Sequence, residues 1–130
     1  NVDGDGEIIY TRPLDEVPRA TWHRNTGSIA IALCCCYEAR PGDLGEYPPT
    51  EAQIETLAKM FAVIAEVFDN PIGREHFMTH GEAANDDGYG LYSGEPDCRW
   101  DLEQLCDQDE IGTGGDILRG KAQWYLENGV

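Results

Sequence analysis

Thr50 to Phe68 constrains the fold more than any other segment. Thr50 can cap a helix, Gln53 stands three residues on as its capping-box partner, and Glu51 favours the positive end of the helix dipole. Ile54, Leu57, Ala58, Phe61, Ile64, Ala65 and Phe68 then recur at helical spacing and form one apolar stripe. Asp69-Asn70-Pro71 ends the pattern. A stripe this long needs a second layer to cover it. The remaining apolar runs read as strands. Glu7 to Thr11 leaves an Asp3-Gly4-Asp5-Gly6 turn, and Val2 is placed to end the partner strand, most of which would lie before Asn1. Ser28 to Leu33 runs nearly all-apolar into Cys34-Cys35-Cys36, as a central strand covered on both faces does. A short strand is expected around His76 to Thr79, a long Gly-rich loop over Gly81 to Asp97, a helical turn at Leu102 to Cys106, and a last helix over Ile117 to Leu126 capped by Asp116. The predicted fold class is α/β, a mixed central β-sheet flanked by helices, in one domain spanning residues 1–130.

Charge narrows the partners. Twenty-five acidic residues face nine basic ones, for a net charge of −16. Such a surface repels phosphate backbones and anionic lipid, so neither nucleic acid nor membrane is expected as a partner. No apolar run approaches the ~20 residues a bilayer requires, and no basic-then-apolar leader opens the chain. The five cysteines include three in a row, which fit no zinc-finger spacing. They read as small buried hydrophobes kept reduced, with Cys34 and Cys36 on one face of a strand and Cys35 on the other. Cys98 and Cys106 are the pair a loop could bring together. Reduced thiols favour synthesis in a cytoplasm.

Several motifs are incomplete. Asp3-Gly4-Asp5-Gly6 begins like a calcium loop but lacks the later glutamate, so a hairpin turn is expected instead. His76 and His80 share a strand face at roughly 13 Å and make poor co-ligands. Gly112 to Gly115 precedes a helix and offers either an anion seat or a flexible lead-in. Glu82 either orients His80 or faces solvent. The residues that carry chemistry are His80 and the tripeptide Arg99-Trp100-Asp101: an imidazole and a carboxylate suit Zn²⁺, provided that the intervening loop folds back.

Taken in order, Thr21-Trp22-His23, Asn25, Ser28 to Leu33, Pro49-Thr50-Glu51-Ala52-Gln53, Met78-Thr79-His80 and Arg99-Trp100-Asp101 resemble the zinc-dependent N-acetylmuramoyl-L-alanine amidases. These share a fold with phage-type amidase lysozymes and peptidoglycan recognition proteins. Arg99 to Leu102 and Gly115 to Ala122 resemble phage or prophage members most. The resemblance implies a mixed sheet flanked by helices and cleavage of the amide between N-acetylmuramic acid and the L-alanine of the stem peptide. It implies zinc as cofactor, His80 and Asp101 as two of its ligands, Arg99 as a catalytic cation, and Trp22, His23 and Asn25 as substrate contacts. Peptidoglycan or a soluble muropeptide is then the partner; an endolysin would act on the wall after release from the cytoplasm. In relatives the first histidine precedes the Asp-Gly hairpin. The resemblance therefore implies that one ligand, one strand and the general base lie before Asn1, with Ala32 where one branch carries a glutamate base. A binding module of the same fold, without catalysis, is the alternative.

Overall fold

A computed structural model describes residues 1–93 and 99–130. Its regular structure is helical: α1 (Glu51–Phe68), α2 (His80–Asp87) and α3 (Gly114–Asn128). The predicted mixed sheet is overturned. Among the described residues no strand forms, and β pairing is confined to isolated bridges.

The reason lies in what flanks the two apolar runs. Among the described residues only Val2 runs beside Ser28 to Leu33. Its N–H donates to the Ala32 carbonyl at 2.8 Å and its carbonyl accepts from Cys34 N–H at 2.9 Å. The N–H and C=O groups of Ile29, Ala30 and Ile31 have no partner among the described residues. One residue alongside does not make a ladder. The segment is not covered on both faces either: Ile31 and Leu33 pack on the core, while Ala30 and Ala32 are exposed. Glu7 to Thr11 fares similarly, with Ile8, Ile9 and Tyr10 all exposed. The hairpin at its start does form. Asp3 Oδ1 accepts from the N–H groups of Asp5 and Glu7, and Val2 pairs antiparallel with Ile8.

The α1 reading holds closely. The Thr50–Gln53 capping box is complete, and Asp69 ends the helix in the left-handed region at φ 53°. The stripe buries Leu57, Ala58 and Ala65, although Phe68 at its end is exposed. Gln53 does more than cap. It is fully buried, and its Nε2 donates to the carbonyls of Val2 and Cys34, tying both extended segments to α1. Leu57, Leu105 and Leu118 form the core centre, with Ile31, Leu33, Ile54, Phe61, Leu102 and Ile117 against them.

α3 begins earlier than expected, at Gly114, and Asp116 lies within its first turn rather than capping it. Gly114 is needed there: a Cβ would stand 1.8 Å from the Leu102 carbonyl oxygen. The cysteines depart from the sequence reading. Cys34 is exposed, Cys35 and Cys36 are half-buried, and all three are free thiols, as is Cys106. Cys36 sits at φ 62°, so the strand alternation breaks. A hydrogen bond between the Cys35 and Cys36 thiols pushes the former up and the latter down. The expected Cys98–Cys106 pairing lies outside the described residues.

Two outcomes follow from this packing. Gly114→Ala forces the start of α3 off Leu102 and costs roughly 1–3 kcal/mol, read as a lower midpoint in urea unfolding. Glu55 joins α1 to α3 through Lys121 and Tyr125, and the Lys121 hydrogen bond holds its carboxyl below the usual range. A depressed carboxyl stabilises the fold above its unfolded pKa, and that gain fades as pH falls through the folded value. Both side chains are partly exposed, so the contribution is roughly 0.5–1 kcal/mol. Glu55→Gln therefore lowers the melting temperature at pH 7 and flattens its decline between pH 5 and pH 3.

Candidate functional site

The site is built where α2 meets the segment 99–103. The expected strand at His76 to Thr79 is absent, and the expected Gly81–Asp97 loop begins instead as α2. Thr79 and Glu82 form a second capping box, with Thr79 Oγ1 accepting from Glu82 N–H and Glu82 Oε1 from Thr79 N–H. The Thr79-x-x-Glu82 spacing is in the sequence and could have located this helix. It sets His80 at the first helical position.

The next residue brings the partner segment in. Gly81 N–H donates to the Asp101 carbonyl at 3.2 Å. A Cβ on Gly81 would stand 3.0 Å from the Trp100 carbonyl carbon and 2.6 Å from Glu103 Cγ. Glycine alone permits that approach. His80 Nδ1 consequently lies 3.3 Å from Asp101 Oδ2. The His80 hydrogen bond, aided by the Arg99 charge, holds the Asp101 carboxyl below the usual carboxylate range against the opposing effect of burial. No third His, Cys, Asp or Glu stands with them as a metal-binding group among the described residues.

The intervening excursion is pinned at both ends. Arg99 N–H donates to the Tyr89 carbonyl at 3.0 Å, and Gly90 bridges Arg99 in parallel. Arg99 itself is exposed. Tyr89 was not singled out by the sequence reading, yet it stands at the centre. Its ring meets His80 edge-on at 6.4 Å and Trp22 edge-on at 5.8 Å. Burial, then the nearby Asp87 charge, pushes its hydroxyl up.

Trp22 is 62% exposed, with His23 edge-on at 3.9 Å. His23 adopts φ 62°, uncommon for a non-glycine. The Asn25 side-chain oxygen accepts from the N–H groups of Ala20 and Thr21 and so braces its own loop. Arg24, also unremarked in the sequence, clamps that loop to α2. Its Nε and Nη2 pair with the two Asp87 carboxylate oxygens at 2.6 and 2.8 Å. A pair of residues 63 positions apart leaves no local spacing to read. A cleft of ≈ 640 Å³ starts at His80 and runs past Arg24 and Asn25 to Ile29, Ile31 and Phe61.

Behind the site, Glu82 neither orients His80 nor faces water. Its carboxylate takes Arg119 through both oxygens at 2.8 Å and Arg74 at 3.3 Å. Burial raises that carboxyl, but Arg119, the Thr79 N–H and Arg74 outweigh it and leave it below the usual range. The same carboxylate lies against Gly115, where a Cβ would stand 2.2 Å from Oε1. An acid of the chain itself therefore stands against the start of α3, held there by Arg119 rather than by the helix N–H groups.

No characterised protein and no solved structure matches the chain. The sequence model of the N-acetylmuramoyl-L-alanine amidases matches residues 1–90. That stretch contains Trp22, His23, Asn25 and His80 and stops short of Arg99 and Asp101. It covers more than half of the chain, which therefore belongs to the N-acetylmuramoyl-L-alanine amidase family.

Proposed function

We propose that this domain hydrolyses the amide between N-acetylmuramic acid and the L-alanine of the stem peptide, using a zinc ion held by His80 and Asp101. The supporting observation is the 3.3 Å between His80 Nδ1 and Asp101 Oδ2, reached across 20 intervening residues. Ligands about 2.0–2.2 Å from a tetrahedral zinc stand about 3.3–3.6 Å from one another. The donor chemistry fits as well, since imidazole nitrogen and carboxylate oxygen are both zinc ligands. When bound, the ion lowers the pKa of a coordinated water and polarises the substrate carbonyl.

The chain's own residues carry the rest. The Arg99 charge already acts on Asp101 and Tyr89. A guanidinium there stabilises the carbonyl oxygen as it gains charge during attack on the amide carbon. The exposed Trp22 ring, backed by Tyr89 and His23, offers an apolar face to the substrate. Asn25 and Arg24 hold the Trp22 loop in place through Ala20, Thr21 and Asp87. Gly81 is a positioning residue, because its close contact with Trp100 sets the His80–Asp101 spacing. The same reading carries zinc, an intact wall or soluble muropeptide as substrate, and a phage-type enzyme made in a cytoplasm.

One observation favours a second reading. Only two donors stand together among the described residues, and catalytic zinc sites use three protein ligands. A peptidoglycan-binding module that does not cut the amide would need only the cleft, Arg99 and Trp22.

Zinc content and product release decide between them. Asp101→Ala and His80→Ala are each expected to lower zinc affinity at least tenfold and to abolish release of L-alanine-terminated peptides, with an unchanged circular dichroism spectrum. Equal zinc binding in either variant removes that residue from the metal. Sedimentation with insoluble peptidoglycan, with no peptide released by the zinc-loaded chain, selects the binding module. Gly81→Ala keeps both ligands and displaces one from the other, so it is expected to weaken zinc binding as well as thermal stability; full zinc affinity would show that the Gly81 contact does not set the site.

A further inference from the structure

We infer that Ser28 to Leu33 is an association edge, to which the same segment of a second copy of this chain adds as an antiparallel strand about a two-fold axis. The inference is independent of the amidase reading. An extended segment satisfies its main chain only through a neighbour. The N–H and C=O groups of Ile29, Ala30 and Ile31 have no partner among the described residues. Val2 pairs only at the far end, with Ala32 and Cys34. Water reaches the stretch, since Ser28, Ile29, Ala30 and Ala32 are all exposed. Leu14, 67% exposed, and Val17, 54% exposed, line the same concave face as Ile29. An open edge with uncovered apolar side chains around it is a template for another strand.

Charge decides which strand it takes. Folded proteins guard such edges with lysine, proline or an inward-pointing charge. From Ser28 to Cys36 the chain has no charged residue and no proline. The run therefore meets its own copy without setting like charges opposite one another and without burying any. Antiparallel pairing about a two-fold axis is self-complementary, because each residue meets in the partner the one that meets it. The core survives the addition: Ile31 and Leu33 stay packed inward, while Ala30 and Ala32 stand on the exposed face. Away from this edge, molecules of net charge −16 repel each other. Salt screens that repulsion, so an association through an uncharged edge strengthens as salt is added. An interface made of ion pairs responds in the opposite direction.

The test is sedimentation velocity of the chain over a wide range of concentration, at low and high sodium chloride, with amide hydrogen exchange read on the same samples. A reductant is present throughout, so that no disulfide through the exposed Cys34 holds copies together. The expected result is a dimer that grows with concentration and with salt, and in which the amides of Ile29 to Ile31 exchange more slowly than in the dilute monomer. Ala30→Pro removes one N–H from the edge, and Ala32→Lys places a charge on it; each is expected to weaken the dimer roughly tenfold or more. Circular dichroism reports whether the variants fold, and if Ala30→Pro does not, Ala32→Lys decides. A monomer at every concentration and salt overturns the inference. Amides at Ile29 to Ile31 already protected in the monomer overturn it too, because the chain's own residues then cover the edge. A dimer that salt dissolves, or that neither variant weakens, places the contact elsewhere. Growth past the dimer overturns the two-fold pairing, which closes on itself.

Discussion

The contact between Gly81 and residues 100–103 is the constraint on which the rest of the site depends. Two pieces of chain meet there at a distance that excludes a single methyl group. Packed interiors do not absorb such an intrusion smoothly. The Gly81–Asp101 hydrogen bond fixes the register of the approach, and the Thr79 cap fixes the direction from which His80 arrives. Side-chain proximity at the site is thus a consequence of main-chain packing one residue away.

A second layer holds that packing in place. Glu82 caps α2, pairs with Arg119 and Arg74, and lies against Gly115 in the first turn of α3. One carboxylate therefore ties α2, the start of α3 and the start of the site together. Nearby Glu103 is the counterweight. Burial, with Glu82 beside it, pushes its carboxyl above the usual range. The two acids end on opposite sides of their ordinary pKa because both feel Arg74 and Arg119 but only Glu82 is hydrogen-bonded by Arg119.

The legible parts of the sequence were those governed by local rules. The α1 stripe and its capping box, the Asp3 turn and the C-terminal helix are written in spacings of two to four residues, and they formed. The Thr79–Glu82 box is equally local, but the glycines and aspartates after it have the composition of a loop. The strands failed for a different reason. Apolar β-prone runs at Glu7 and Ser28 are present, but a strand exists only when a neighbour lines up beside it. Residue type at Ile29 or Ile31 carries no information about that neighbour, and among the described residues only Val2 lies alongside the Ser28–Leu33 run.

The site divides along the same line. The sequence by itself determined the donor types, an imidazole and a carboxylate with an arginine beside the latter, together with the acidic surface and the helix that carries the core. Those properties belong to side chains and survive any arrangement of the backbone. Only the tertiary structure decided that His80 and Asp101 stand 3.3 Å apart, that Arg24 clamps Asp87, and that the Tyr89 ring packs against His80 and Trp22. Each of these depends on chain segments many residues distant meeting at van der Waals range, which steric fit at Gly81, Gly90 and Gly114 permits and no local spacing encodes.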